Sequence, residues 1–204
     1  MRVRTNTSVK LDEEKVVDFL PILVLDSSGS MRGSKYDNAV IGLRKLVQEF
    51  KQGIFIEFSS DIKVQEFKNG TITNKFQYGG TRLNDTIKEV YDLVQEKNKK
   101  CLINIFTDGE ESHSYNITTF KVKELIKKII EDKHTFTFQC TKEDLNTIKN
   151  TYGVPESNIL TYENNAKGVQ YAFKMSMEAT RMYKSSLAKG EDVTLGFYSK
   201  VLNK

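Results

Sequence analysis

Asp26, Ser28 and Ser30 stand at alternate positions in the stretch ILVLDSSGS, residues 22–30, where an apolar run gives out. One carboxylate and two hydroxyls form an oxygen-only donor set, which suits a hard divalent cation such as Mg²⁺ or Mn²⁺. Two other segments add matching donors. Thr81 follows the pair Gly79-Gly80, and a second apolar run, LINIF, leads into Thr107-Asp108-Gly109-Glu110. In an open α/β sheet, ligands bind just beyond the carboxyl ends of strands, so acids at such ends are well placed for chemistry. Gly29 would ease the curl of the first loop by accepting unusual backbone angles. Taken alone, Asp26 and the serines suit a helix N-cap equally well. Thr81 and Asp108 tip the balance towards a cation site.

The pattern of the chain says how these segments are held. Residues 19–25 predict a first strand, with Pro21 near its start, where a missing N–H does least harm. Val40, Leu43, Val47 and Phe50 recur at helical spacing and predict a helix over 36–50. Strands follow over 54–58 and 62–67, and the short turn Ser59-Ser60-Asp61 makes the second of them antiparallel to the first. Beyond Gly79-Gly80, a helix presents Leu83, Ile87, Val90 and Val94 on one face. Next come a strand over 102–106 and a helix over 118–131 carrying Val122, Leu125, Ile126 and Ile129. A strand over 135–140, a short helix over 143–151, a strand over 159–162 and a final helix over 165–187 complete the series. Alternation with short linkers predicts an α/β fold. Its sheet is doubly wound, six-stranded and mostly parallel, with one antiparallel edge strand and helices on both faces. We divide the chain into an N-terminal extension (1–14), one domain (15–188) and a C-terminal tail (189–204). The tail has little periodicity and is expected to be loose.

Composition narrows the class. A length of 204 residues suits one well-buried core. The 31 basic and 27 acidic side chains are interspersed, so the net charge of +4 builds no basic arm and no nucleic-acid partner is expected. Lys121, Lys123, Lys127, Lys128 and Lys133 are interleaved with Glu124, Glu131 and Asp132, as on an ordinary solvated face. The N-terminus lacks the apolar stretch of a signal peptide, and no run approaches a membrane span. Cys101 and Cys140 are too few for a disulfide framework or a zinc site. They read as buried free thiols, which implies a reducing, intracellular and cytoplasmic setting; a virus-encoded protein would look the same. Glu110 and Glu111 read as solvated loop residues, His113 as exposed and His134 as structural. The loop 109–117 borders the candidate site and is the best sequence candidate for partner specificity.

Asp26-Ser27-Ser28-Gly29-Ser30, Thr81 after its glycine-rich turn and Asp108 ending the fourth strand together resemble the von Willebrand factor A (VWA) domain with an intact metal-ion-dependent adhesion site (MIDAS). Met31 and the Gly-Gly-Thr-x-Leu of 79–83 look like its intracellular microbial members. The likeness covers about residues 15–187 and implies a Rossmann-like fold. It implies that Ser28, Ser30 and Thr81 ligate a Mg²⁺ or Mn²⁺ through their hydroxyls. Asp26 and Asp108 would act largely through water or shift into contact. Neutral hydroxyls quench little of the ion's charge, so the implied partner is a protein supplying a Glu or Asp carboxylate. The implied role is recognition, not turnover. Two alternatives stand beside it: a phosphatase-type hydrolase using Asp26, and a VWA scaffold acting without metal. The haloacid-dehalogenase pattern requires a second Asp where Ser28 stands, and a subtilisin-like triad lacks its histidine motif and late serine here. No phosphate-cradling P-loop is present.

Overall fold

The computed structural model describes residues 18–109 and 111–202. Its strands are β1 (Leu20–Asp26), β2 (Gly53–Phe58), β3 (Ile62–Phe67), β4 (Cys101–Phe106), β5 (Thr135–Thr141) and β6 (Ile159–Tyr162). They form one sheet in the order β3-β2-β1-β4-β5-β6. All neighbours run parallel except β2 and β3, which pair antiparallel from Gly53 beside Phe67 to Phe58 beside Ile62. The chain first builds outward from β1 to β3, then crosses back to lay β4 on the other side of β1. That reversal is the switch point at which open α/β sheets leave a crevice. The carboxyl ends of β1 and β4 flank it, and these are the ends that carry Asp26 and Asp108.

The helices are α1 (Ser34–Phe50), α2 (Leu83–Lys97), α3 (Thr119–Glu131), α4 (Ala166–Ala188) and a short α5 (Ser199–Leu202). Alternate strand residues feed two separate cores, as a sheet covered on both faces requires. Leu23, Leu25, Phe55 and Phe106 pack beneath α1 and α4, while Ile22, Val24, Ile56, Ile103 and Ile105 pack beneath α2 and α3. Each fully buried aliphatic side chain is worth about 1.5–3 kcal/mol. The two layers therefore hold β1 and β4, and the loops that leave them, firmly in place.

Two of the expected elements need correction, and two expectations fall outside what is described. The segment 143–151 is not a simple α-helix but closes in a π-helical turn, Thr147–Thr151. The wider turn carries Tyr152 inward, where its hydroxyl donates to Asn84 Oδ1 at 2.8 Å. The tail 189–204 is not loose over its described part. Gly190, at φ +77°, ends α4, and Val193, Phe197, Tyr198 and Val201 are buried against α4 and the sheet. These residues enter the core singly from a loop, so no 2- or 3.6-residue period betrays them. The extension 1–14 and Glu110 lie outside the described residues. Cys101 and Cys140 are free and buried, and burial pushes their thiols up to about 11 and about 12. His134 is structural, its Nδ1 accepting the Cys101 amide at 3.0 Å. Among the described residues, no helix is long and apolar enough to cross a membrane.

Candidate metal centre

β1 delivers Asp26 to the switch point fully buried. Its Oδ1 accepts the Ser28 amide at 2.7 Å and its Oδ2 accepts the Thr107 hydroxyl at 2.5 Å. Burial pushes the Asp26 carboxyl up to about 6, against the opposing pull of those hydrogen bonds, and the neighbouring Asp108 adds to the rise. A single 3₁₀ turn follows, Gly29–Met31, with Met31 plugged into the core beneath it. Gly33, at φ +81°, then turns the chain into α1.

The loop carrying Thr81 is zipped to this first loop through its backbone. The Gly29 amide donates to Gly79 O at 2.9 Å, and the Tyr78 amide to Ser27 O at 3.2 Å. The glycine pair is what lets the strands of loop close. Gly79 has φ +125°, and a Cβ there would lie 2.5 Å from Ser60 Oγ; a Cβ on Gly80 would lie 2.0 Å from the His113 ring. Thr81 is held by the third loop, its amide donating to Ser112 Oγ at 3.1 Å and its carbonyl accepting the amides of Ser112 and His113.

The structure brings all five candidate residues together. Ser28 Oγ and Ser30 Oγ lie 3.1 Å apart, and Ser30 Oγ donates to Asp108 Oδ1 at 2.7 Å. Gly109 leaves a cradle beside them. The point its missing Cβ would occupy is 3.2 Å from Ser30 Oγ, 3.5 Å from Thr81 Oγ1 and 3.8 Å from Asp26 Oδ2. The donor set fits a small hard cation. Adjacent vertices of an octahedron with bonds of about 2.1 Å lie about 3 Å apart, close to the Ser28–Ser30 spacing. Among the described residues, no three His, Cys, Asp or Glu side chains group to hold a metal. This centre has two carboxylates and three hydroxyls, a Mg²⁺-like set and not a zinc-like one.

Several residues that shape the centre were not legible as such. Lys35, in the first turn of α1, reaches across to pair with Asp108 Oδ2 and also donates to Asn164 Oδ1 at 3.1 Å. Glu111, expected as a solvated loop residue, is instead an anchor. Its carboxylate accepts the amides of Asn84 (2.7 Å), His113 (2.8 Å) and Ser114 (2.7 Å), and the Ser114 hydroxyl (2.7 Å). Asp85 reciprocates by accepting the amides of Tyr115 (3.2 Å) and Asn116 (3.0 Å). Glu111 takes an open N–H at the start of α2, where an acid is favoured, and with Asp85 it staples residues 111–116 there. The acid Asp85 in that first turn was the available signal. Glu111→Ala leaves three amides without their acceptor and should cost about 2–4 kcal/mol. Amide exchange at Asn84, His113 and Ser114 should quicken with it; unchanged protection there would show that water replaces the carboxylate without loss.

No protein-family model and no curated protein matches the chain. Among solved structures, the ArnB paralog VWA2 from Sulfolobus acidocaldarius is similar at 18% identity and a TM-score of 0.41, over 61% of this chain and 34% of that one. The conserved hypothetical protein BatB from Bacteroides thetaiotaomicron is similar at 18% identity and a TM-score of 0.44, over 61% of this chain and 67% of that one. The chain thus matches about a third of the length of the first and two thirds of the second. At these scores neither likeness says anything about the centre.

Proposed function

We propose that this chain is a VWA-type binding module whose MIDAS, formed by Asp26, Ser28, Ser30, Thr81 and Asp108, takes Mg²⁺ or Mn²⁺ and through it a carboxylate of a protein partner. The observation that carries this reading is the convergence of three hydroxyls and two carboxylates from three separate loops on the cradle at Gly109. A bound divalent cation would supply an electrophilic position for an outside carboxylate. Ser28, Ser30 and Thr81 would hold it as neutral donors, while Asp26 and Asp108 balance its charge.

The rim suits such a partner. Arg32 lies 5.9 Å over the ring of Tyr78, and Arg82 lies 4.3 Å over that of Tyr115. Both tyrosines are exposed, at 61% and 76%, on loops that also carry the centre's donors. Arginine and tyrosine are the residue types enriched at the hot spots of protein interfaces, and Arg32 is exposed here, whereas Arg82 is half-buried and paired with Asp85. The exposed Arg32 would favour an acidic surface over a basic one. Two thiols buried without a disulfide support a reducing, intracellular setting.

Catalysis by Asp26 fits the geometry poorly. The carboxylate is sealed from solvent with both oxygens accepting hydrogen bonds, and Ser28 stands where a phosphatase needs a second acid. The scaffold reading, binding without metal, draws support from one observation: Lys35 already supplies a positive charge to Asp108. Calorimetric titration of EDTA-stripped protein with Mg²⁺ and Mn²⁺ separates the two. One-to-one binding is expected in the parent and absent in Asp26→Ala and Asp108→Ala. Parent protein that binds neither ion, with or without added acetate, leaves the metal-independent scaffold.

A further inference from the structure

We infer that Lys35 is a tethered counter-ion that competes with the divalent cation for Asp108 and so sets the centre's metal affinity. The inference rests on the metal-binding reading above and deepens it. A lysine in the first turn of a helix is electrostatically misplaced, because the exposed N–H groups there already carry partial positive charge. Lys35 is held there by what it touches across the fold. Its ammonium pairs with Asp108 Oδ2, 73 residues away in sequence, and donates to Asn164 Oδ1 in the loop before α4. The other oxygen of Asp108 accepts from Ser30. Both oxygens of this buried carboxylate are therefore engaged, one by a positive charge and one by a candidate ligand.

Charge makes the consequence concrete. Asp26 and Asp108 together carry two negative charges, enough to balance one divalent cation. Lys35 adds a third positive unit beside the cradle. Entry of the cation then requires the ammonium to swing out towards solvent or to endure its repulsion, and either weakens metal binding. The side chain is 20% exposed, so a route outward exists. Without the cation, the same ammonium spares Asp108 the cost of a buried unpaired charge. The fold thus has two alternative partners for one carboxylate, and the tethered one is always at hand.

The test uses the full chain and the metal alone. Lys35→Gln and Lys35→Met are titrated with Mg²⁺ beside the parent and Lys35→Arg, each with and without acetate, and each is melted in EDTA. Either neutral variant should bind Mg²⁺ about tenfold more tightly or better, and melt lower without metal. Lys35→Arg should stay at or below the parent's affinity. Binding by the neutral variants alone supports the competition at Asp108, while overturning metal binding by the parent and leaving it the metal-independent scaffold. Neutral variants that melt lower but bind Mg²⁺ no more tightly than a binding parent would overturn it and leave the metal centre standing. Silence from parent and variants alike, in acetate as well, overturns both.

Discussion

Asp26→Asn is expected to melt higher than the parent in EDTA at pH 8, and to bind no Mg²⁺. The reasoning starts from the burial of Asp26, whose carboxyl is pushed from an ordinary 3.8 to about 6. A raised carboxyl favours the protonated form in the folded state. Between pH about 4 and about 6 the folded chain therefore holds a proton that the unfolded chain has released, and stability falls as pH climbs through that window. Above it the whole cost is present. Two units correspond to roughly 3 kcal/mol, and allowing for local relaxation we expect about 2 kcal/mol, or about 4–8 °C in a chain of this size. The amide keeps an oxygen for the Ser28 N–H. Thr107 can turn its hydroxyl to Gly109 O, already 3.2 Å away, and accept from the new amide. Melting both proteins in EDTA at pH 4.5 and pH 8 reads the effect, because the gap should open as pH rises. A variant that melts below the parent at pH 8 would show that Asp26 is stabilising as a charge. Saturating Mg²⁺ should reverse the order, since ligand at about 100 times Kd adds about 2.7 kcal/mol to the parent and nothing to the variant. That result would place a stability deficit of the metal-free domain at the residue the cation would use.

What the sequence made legible follows the range of the interaction. Strands such as LINIF announce themselves because burial on both faces makes them continuous apolar runs between turn residues. Asp26, Ser28 and Ser30 are neighbours in sequence, and the sheet's topology brings Asp108 beside them because β1 and β4 pair. Lys35 was illegible for the opposite reason. Its partner lies across a crossover, and one lysine at the start of a helix looks like any other. Glu111 was misread because a loop acid surrounded by Ser, His and Asn has no local pattern; only the docking of its loop on α2 supplies the amides it binds. Leu125 was counted on the buried face of α3, and the structure leaves it half-buried where Val122, Ile126 and Ile129 are sealed. Periodicity gives a stripe's centre more surely than its edge. The glycine pair was read as a turn. Its further role, making room for Ser60 and His113, depends on contacts that no spacing encodes.

Ending the chain at Gly190 is expected to abolish cooperative folding, although the cut lies after the last strand and the last long helix. The removed segment fills the gap between α4 and the β5–β6 side of the sheet. Val193, Phe197, Tyr198 and Val201 are all buried there, Tyr198 completely. Its ring packs edge-on against Phe197, and its hydroxyl lies 3.0 Å from that of Ser176 and 3.3 Å from Asn104 Oδ1. Asn158 ties the same segment to the sheet, donating to Phe136 O and Thr194 O and accepting the Phe197 amide. Four buried apolar side chains at about 1.5–3 kcal/mol each amount to roughly 6–12 kcal/mol, which matches the whole stability of an ordinary domain. Truncation would also strand Asn158 Oδ1, which accepts the Phe197 amide, and the Thr135 hydroxyl, which donates to Val193 O at 3.0 Å. Graded variants keep the test readable if the truncated chain is insoluble. Tyr198→Ala should cost about 3–5 kcal/mol, Tyr198→Phe about 1 kcal/mol, and Leu202→Ser, at a half-exposed position, close to nothing. Urea unfolding of the four proteins checks the series. A truncated chain that unfolds in a single sharp transition near the parent's midpoint would mean that the segment merely rests on the domain, as its lack of periodicity first suggested.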